Sequence, residues 1–246
     1  MNTFKKVIKF IYQFYTWGFY VPFFFLYTIV FGILAVVFSL LINQRAGSYI
    51  GGVIWSRLSA LLIPMIPKVR GKENIEKNTS YIIMTNHQSF YDIFLVYGWI
   101  GLDIKWIMKK ELRKIPGLGW GSVKVGHIFL DRSNNRAALE SLAAAKEKLV
   151  NGTSVVIFPE GTRSKTGIPG SFKRGGFKLA IDLKLPILPV TLKGTRKILP
   201  ADILVQFPGK VEMIIHEPVS IDGYSEKNIR ELMDLTKEKI CSDLDQ

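Results

Sequence analysis

The hydrophobic pattern divides the chain into an apolar N-terminal segment and a longer part in which short apolar runs alternate with amphipathic stretches. Residues 10–44 contain no charged side chain and are rich in Phe, Tyr, Leu, Ile and Val. One straight helix of that length would measure about 50 Å, well beyond a hydrocarbon core of about 30 Å. Because Gly18 and Pro22 interrupt the run, the pattern predicts a two-helix re-entrant membrane hairpin, followed by an amphipathic interfacial segment at 48–66. A single tilted span and a signal peptide are the alternatives.

Basic residues flank the apolar segment on both sides. They are Lys5, Lys6 and Lys9 before it, and Arg45, Arg57, Lys68 and Arg70 after it. Positive flanks stay on the cytoplasmic side, so both ends are expected on the same side of the bilayer. The pattern therefore predicts a monotopic or re-entrant protein on the cytoplasmic face of a cell inner membrane or plasma membrane. It also predicts two parts: a membrane anchor at 1–67 and an α/β domain at 68–246.

Beyond the anchor, apolar runs typical of strands alternate with helical periodicity. Strands are predicted at 81–85, 154–158, 187–192 and 211–215, with one or two short strands within 123–130, and helices at 90–100, 136–150, 172–183 and 225–244. This alternation predicts an α/β sandwich around a largely parallel mixed sheet. In such folds ligands bind beyond the carboxyl ends of the strands, where the connecting loops lie.

Charge is concentrated in the middle of the chain. The formal net charge is +13, and residues 101–200 hold 19 Lys and Arg against 7 Asp and Glu, or +12. A basic block behind a membrane anchor suits anionic lipid headgroups, phosphorylated substrates or an acidic carrier protein. Nucleic acid is not an expected partner, because no zinc-finger, basic-zipper or RNA-binding signature accompanies the charge.

Cysteine and histidine usage disfavours several chemistries. The single Cys241 cannot form an internal disulfide, and it falls in a polar C-terminal helix where it is expected to be a helix-face residue. The chain has three histidines, His87, His127 and His216, and they are too scattered in sequence to predict a metal site. Motifs of serine hydrolases, nucleotide triphosphatases and dinucleotide-binding enzymes do not occur.

The segment at 86–92, Asn-His-Gln-Ser-Phe-Tyr-Asp, is the main candidate for chemistry. It follows the predicted strand and places His87 five positions before Asp92. An imidazole can accept a proton from a hydroxyl near neutral pH, and a carboxylate on its other nitrogen stabilises the imidazolium. The two side chains can meet only if His87 lies in the loop and Asp92 in the first helical turn, which Ser89 as an N-cap allows. The alternative is a capping Asp92 beside an ordinary loop histidine.

A second candidate is the loop at 158–164, directly after another predicted strand. Glu160, Gly161, Thr162 and Arg163 combine backbone N–H groups, a hydroxyl and a planar cation, which together suit a phosphate. Lys173 and its neighbours Lys165 and Arg174 add positive charge nearby. Taken alone, the segment is equally consistent with an ordinary turn.

Two further basic features can be interpreted either as part of a binding site or as ordinary surface charge. Asp131 and Arg132 end a predicted strand, where a surface ion pair is the alternative to a site. The basic run that begins with Lys105 and Lys109 and continues to Lys114 is typical of a solvated face, but beside a membrane it could also receive a headgroup.

Taken together, these residues resemble the glycerolipid acyltransferase family, and within it the enzymes that acylate 1-acylglycerol 3-phosphate. Four ordered blocks carry the resemblance, at 86–92, 126–132, 158–164 and 187–194, the last around Pro189. The resemblance implies that His87 is the general base and Asp92 its orienting partner. It also implies that Arg132, Glu160, Gly161, Thr162 and Arg163 form the acceptor-phosphate site; Lys105, Lys109 and Lys173 are added here on electrostatic grounds alone.

The resemblance further implies direct acyl transfer from a thioester to the 2-hydroxyl of lysophosphatidic acid, giving phosphatidic acid. The expected partners are lysophosphatidic acid, an acyl carrier protein or coenzyme A thioester as co-substrate, and membrane phospholipids. No cofactor or metal is expected. Other acceptors, such as glycerol 3-phosphate or other lysophospholipids, remain open, as do a non-catalytic anionic-lipid binder and a hydrolase in which His87 activates water.

Overall fold

A seven-stranded mixed sheet forms the centre of the protein. The computed structural model describes residues 10–130, 152–201 and 205–244. Its strands are β1 (Met65–Arg70), β2 (Ile82–Thr85), β3 (Asp103–Lys109), β4 (Ile128–Leu130), β5 (Thr153–Ile157), β6 (Ile187–Lys193) and β7 (Gly209–Ile215). Their order is β1-β7-β6-β2-β5-β3-β4, and every pairing is parallel except that of β6 with β7. The predicted α/β class with a largely parallel mixed sheet is therefore confirmed.

The sheet separates two apolar cores, and β2 at its centre contributes to both. All four β2 residues are buried. Ile83 packs in the core on one face, together with aromatic residues of the N-terminal helices, whereas Ile82 and Met84 pack in the core on the other face. Successive strand residues point to opposite faces, so an uninterrupted apolar run is what a strand covered on both sides requires.

Two helices precede the sheet and form the expected hairpin, although the chain reverses at a different place. Helix α1 is continuous over Phe10–Leu41. Helix α2 follows after two residues and consists of three consecutive helical segments, Gln44–Ser48, Tyr49–Ile54 and Trp55–Leu62. The turn therefore lies at residues 42–43, and much of the segment expected to be interfacial is the second arm of the hairpin.

A local change in hydrogen bonding explains why α1 does not break at Gly18 or Pro22. Residues Thr16–Tyr20 form a π-helical turn, and the N–H of Val21 bonds to the carbonyl of Thr16. The α-helical ladder restarts at Val21, so Pro22 occupies a first-turn position, where a missing N–H and a fixed φ are tolerated. Proline here marks a change of helix type within one helix.

The remaining helices are short and surround the sheet. They are α3 (Tyr91–Trp99), α4 (Leu118–Lys124), α5 (Arg174–Leu183), α6 (Thr195–Ile198) and α7 (Ile229–Ser242), with 3₁₀ turns at Lys72–Asn74 and Lys110–Lys114. Of the one or two short strands predicted within 123–130, the structure contains β4, which starts at Ile128, whereas residues up to Lys124 belong to α4. The predicted helix at 136–150 lies outside the described residues.

Two strands, β1 and β3, were not expected from the sequence. Strand β1 pairs with β7 from Met65 onward, so the sheet begins before residue 68 and the expected boundary falls inside this strand. Strand β3 carries the start of the run that was interpreted as a basic surface. Both strands include lysines, which obscured the period-two pattern.

Helix α1 presents a largely apolar surface that the rest of the described residues do not cover. It is long and apolar enough to cross a membrane, with a mean hydropathy of 2.6 and only 17% of its most apolar window buried. Exposed side chains include Phe19, Phe25, Ile33 and Leu41, of which Leu41 is 80% exposed. Contiguous apolar surface of this kind marks contact with a membrane or another protein.

Acid is expected to destabilise the fold through His216, which follows β7. The hydroxyl of Thr191 donates to the carbonyl of Ile240 (2.6 Å), so it accepts from Nε2–H of His216 (2.8 Å), while Nδ1 of His216 lies 4.0 Å from Oδ2 of Asp243. Burial lowers the pKa of His216; Lys239 and Arg70 lower it further, and Asp243 opposes them.

The sign of the resulting pH dependence follows from that lowered pKa. As pH falls below about 6.5, the unfolded chain binds a proton that the folded chain resists, so the free energy of unfolding falls. The limit for one proton is about 1.4 kcal/mol per pH unit. Denaturant midpoints between pH 7 and 5 should therefore drop more steeply for the wild type than for His216→Gln, and equal slopes would contradict this assignment.

Candidate active site

The loop after β2 brings His87 and Asp92 together. Since β2 is central and its strand neighbours β5 and β6 are parallel to it, their carboxyl ends meet at one edge of the sheet. His87 lies in the loop at this edge, and Asp92 lies in the first turn of α3. This arrangement is the one that the five-residue spacing requires.

The contact between the two side chains is short and buried. Nδ1 of His87 lies 2.8 Å from Oδ2 of Asp92, which also accepts the backbone N–H groups of Gln88 (2.6 Å) and Ser89 (2.8 Å). The Asp92 side chain has no exposed surface, and its other oxygen, Oδ1, has no hydrogen-bond partner among the described residues. The backbone amides thus hold the carboxylate so that one oxygen accepts Nδ1–H, which leaves the lone pair on Nε2 of His87.

Aromatic stacking holds the plane of the imidazole. The rings of His87 and Phe158 stack with centroids 3.7 Å apart and planes 13° apart, and Trp106 stacks on Phe158 with centroids 5.8 Å apart. The His87 side chain is 15% exposed, so one edge remains accessible. A ring clamped on its face and on one nitrogen can exchange a proton only at the other nitrogen.

Glu160 joins the His87 loop to the loop after β5. Its carboxylate accepts the backbone N–H of His87 (2.8 Å) and of Gly170 (2.9 Å), and the N–H of Ser164 donates to the carbonyl of His87 (2.8 Å). The Glu160 residue is 7% exposed. These bonds give Glu160 a positioning role, because both oxygens already accept amide hydrogens and a carboxylate repels an anion.

Polar side chains of the His87 loop anchor it on further sides. Asn86 bonds through its amide to both the N–H and the carbonyl of Leu192, which extends the pairing of β2 with β6. Gln88 donates to the carbonyl of Gly167, and Ser89 donates to the carbonyl of Leu199. From the sequence these residues were known only as a motif, and the structure shows that each one fixes the loop to a different element.

A cavity of about 520 Å³ opens beside His87 and extends between the sheet and the N-terminal hairpin. Thr162, Arg163 and Lys109 line it together with His87, while its remaining wall is mainly apolar. Glycines let the hairpin and α4 approach closely: a Cβ on Gly32 would lie 2.2 Å from the carbonyl oxygen of Gly117. The site therefore joins a polar, cationic end to an apolar space, which suits a molecule with a charged head and a hydrocarbon chain.

The predicted phosphate ligands fall into distinct positions. Gly161, Thr162, Arg163 and Lys109 line the cavity, and Lys173 is exposed at the start of α5 with its Nζ next to Gly161. Gly161 has a φ of +74°, which permits the turn that carries Thr162 and Arg163 past His87. Arg132 lies outside the described residues.

Lys105 does not join this cluster. It is 3% exposed on β3, and its ammonium pairs with Asp103 at 2.9 Å outside the cavity lining. This placement does not support Lys105 as a phosphate ligand, since a buried pair gives up its charge only at a large cost. Charge density in the sequence cannot tell a strand residue that faces inward from one that faces solvent.

His127 and Cys241 make no hydrogen bond to His87 or Asp92 among the described residues. His127 is buried and lines the cavity; its Nδ1 accepts the backbone N–H of Trp106 (3.3 Å), and its Nε2 lies 3.4 Å from the hydroxyl of Tyr97. Burial raises the pKa of Tyr97 and of the Cys241 thiol, so both stay protonated near neutral pH. Among the described residues, no group of three His, Cys, Asp or Glu side chains could hold a metal ion.

Sequence reasoning missed Phe158, Trp106 and the small residues that shape the cavity. A signal for the last of these was present, because Gly32, Ala35 and Gly51 interrupt a stretch of otherwise bulky apolar residues. Phe158 offered a weaker signal as an aromatic at the end of a strand, and its partner could not be identified without the fold.

The chain is similar to several known proteins. A family model described as Acyltransferase matches residues 66–193. A chloroplast 1-acyl-sn-glycerol-3-phosphate acyltransferase of Arabidopsis thaliana is 37% identical over 168 residues, which cover 68% of this chain and 47% of that protein. The enzyme of the same description from Pseudomonas aeruginosa is 33% identical over 72% of this chain and 70% of its own length.

A solved structure is similar over its whole length. The 1-acyl-sn-glycerophosphate acyltransferase PlsC from Thermotoga maritima aligns with a TM-score of 0.74 and 29% identity, covering 100% of both chains. The chain spans about half the length of the chloroplast relatives that it matches.

Proposed function

Because the chain belongs to the acyltransferase family, we propose that it transfers a fatty acyl group from an acyl thioester to the 2-hydroxyl of 1-acylglycerol 3-phosphate, which gives phosphatidic acid. One observation carries the proposal. The His87–Asp92 pair lies at the cationic end of an apolar cavity, so a proton acceptor, an anion-binding group and space for acyl chains adjoin one another. The relatives described above bear the name of this activity.

The proposed reaction is a direct transfer. Nε2 of His87 removes the proton of the 2-hydroxyl while that oxygen attacks the thioester carbonyl carbon, and Asp92 stabilises the imidazolium that forms. Backbone N–H groups near the motif stabilise the oxyanion of the tetrahedral intermediate. The intermediate then expels the thiolate, which takes up the proton from His87, so the cycle closes without an acyl-enzyme. Arg163 and Lys109 bind the acceptor phosphate through charge-assisted hydrogen bonds.

The hairpin gives both substrates a common location. We propose that the exposed apolar face of α1 lies in the cytoplasmic leaflet of the cell inner or plasma membrane, so that the protein is monotopic. Because Gly32, Ala35 and Gly51 of the hairpin line the cavity, an acceptor can enter from the bilayer without leaving it. The acyl donor, on acyl carrier protein or on coenzyme A, approaches from the aqueous side.

The test is an assay with the purified full chain. Lysophosphatidic acid and glycerol 3-phosphate are offered as competing acceptors, and the two thioester donors are offered separately. Formation of phosphatidic acid from lysophosphatidic acid supports the proposal. Release of free fatty acid in the presence of acceptor indicates a hydrolase instead, and membrane binding without turnover indicates a lipid-binding protein.

Arg163→Ala is expected to raise the KM for lysophosphatidic acid. Arg163 lines the cavity with His87, and a charge-assisted bond to phosphate is worth about 1.5–3 kcal/mol, or roughly 10- to 100-fold in kcat/KM. Arg163→Lys should recover part of this loss, since it keeps the charge but not the planar fork. Steady-state kinetics with varied acceptor measure the effect.

The matched control is Arg230→Ala, which removes an exposed arginine on α7 outside the cavity lining. It is expected to leave the KM unchanged. An equal rise in KM for the two variants would contradict a specific contact with Arg163.

A further inference from the structure

A second cavity of about 500 Å³ lies between α1 and α4, on the side away from the candidate active site. Residues 33, 36 and 37 of α1 and residues 119, 120 and 123 of α4 line it, with Arg113 and Lys124 at the rim. Residues 118, 121 and 122 of the same short helix line the catalytic cavity instead. Among the described residues the two cavities share no lining residue, and they lie on opposite faces of one helix.

This second cavity is a groove that combines exposed apolar surface with two cations. Trp120 is 56% exposed and Ile33 49% exposed. Arg113 and Lys124 are exposed, and neither has an ion-pair or hydrogen-bond partner for its side chain within 10–130, 152–201 and 205–244. Monomeric proteins seldom leave such surface open unless a ligand, a membrane or a partner covers it.

Backbone packing fixes one of these cations at the rim. A Cβ on Gly119 would lie 2.1 Å from the carbonyl oxygen of Arg113, so only glycine lets the Lys110–Lys114 turn lie directly on α4. Arg113 is therefore held beside the groove by its main chain, while its guanidinium can reach a ligand. Lys124 occupies the last residue of α4, where the helix ends near the same rim.

We propose that this groove binds an anionic phospholipid of the bilayer, as a site separate from the acceptor site. One acyl chain lies along Ile33, Val37 and Val123, and the phosphate accepts hydrogen bonds from Arg113 and Lys124. Trp120 lies at the boundary between chain and headgroup, where indole rings are favoured in membranes. The inference rests on the proposed membrane location of α1, not on the proposed activity. A free phosphate would use the cations but not the apolar wall, and for that reason a lipid is assigned.

The test uses the full chain in nanodiscs made mainly of phosphatidylcholine. One set also contains phosphatidylglycerol with brominated acyl chains, and the other contains phosphatidylcholine with the same brominated chains. Bromine quenches indole fluorescence on contact. The quenching of Trp120 is obtained as the difference in quenched fluorescence between each protein and the same protein with Trp120→Phe. Each cation near an anionic lipid favours binding by about fivefold, so roughly a 30-fold preference for the anionic lipid is expected at Trp120.

Paired charge variants separate the groove from the overall charge of the protein. Arg113→Gln/Lys124→Gln should reduce the preference to nearly one. Lys227→Gln/Arg230→Gln, which removes the same charge from one exposed position just before α7 and one in its first turn, should retain it. All four substitutions are at exposed positions, so circular dichroism should show an unchanged fold.

Three results would overturn the site. The first is equal quenching of Trp120 by the two brominated lipids. The second is an equal loss of the lipid preference in the two double variants. The third is quenching by neither lipid, which is the result expected if a second protein chain covers the groove. Vesicle flotation separates failure of the groove site from failure of the proposed membrane location of α1. A chain that does not float with vesicles overturns the membrane location as well, whereas a chain that floats without a Trp120 preference overturns the groove site alone.

Discussion

Replacement of His87 by alanine is expected to lower kcat for acyl transfer by about 10²- to 10⁴-fold, the usual contribution of a positioned general base. Nε2 of His87 is the proposed acceptor of the hydroxyl proton, and Asp92 holds the other nitrogen at 2.8 Å. Because this interaction develops only in the transition state, kcat and kcat/KM should fall together while the KM for lysophosphatidic acid changes little. Formation of phosphatidic acid at saturating donor measures the effect.

The control for this variant is His216→Gln, which removes another histidine that lies outside the cavity lining. It is expected to retain the wild-type rate at pH 7. Vesicle flotation of His87→Ala should match the wild type, since the hairpin is unchanged. If His87→Ala keeps more than a tenth of the wild-type kcat, His87 is not the base.

Asp92→Asn is expected to lower kcat by a similar factor and, unlike His87→Ala, to destabilise the fold. The neutral amide no longer stabilises the imidazolium, which is the main part of the catalytic loss. Its oxygen can still accept the three hydrogen bonds that converge on Oδ2, but its NH₂ group then takes the position of Oδ1, which has no partner among the described residues. A buried unsatisfied donor costs about 1–3 kcal/mol.

Two measurements separate these effects of Asp92→Asn. Denaturant unfolding gives the loss of stability, and kcat corrected for the folded fraction gives the loss of catalysis. A purely structural Asp92 would show an unchanged kcat for each folded molecule, which would contradict the proposed role.

The local pattern predicted β2, β5, β6 and β7 and a largely parallel sheet, but not β1 or β3. Apolar runs at β2, β5 and β6 predicted strands, and their alternation with helices predicted a largely parallel sheet. The pattern failed where tertiary contacts override local preference. Helix α4 contains Gly119 and Gly121 and directly follows Gly117. It forms because it packs closely on α1, where Gly32 contacts Gly117.

For the candidate site, spacing predicted that His87 and Asp92 could meet, and a strand ending at 158 predicted a loop at the same edge of the sheet. Spacing did not predict that Glu160 would accept two backbone amides, or that Phe158 would stack on the imidazole. The contacts of His87 with Glu160 and Phe158 join residues more than 70 positions apart. Whether a lysine such as Lys105 faces a cavity or a buried carboxylate likewise depends on the register of its strand.

The sequence by itself determined the apolar hairpin, the α/β alternation and the chemical groups beside the central strands, because these depend on periodicity and near neighbours along the chain. The tertiary structure alone decided where the hairpin turns, which cations face the cavity, and how the imidazole is clamped. Each of these depends on contacts between elements that are distant in sequence, and such contacts are set by packing of the whole molecule.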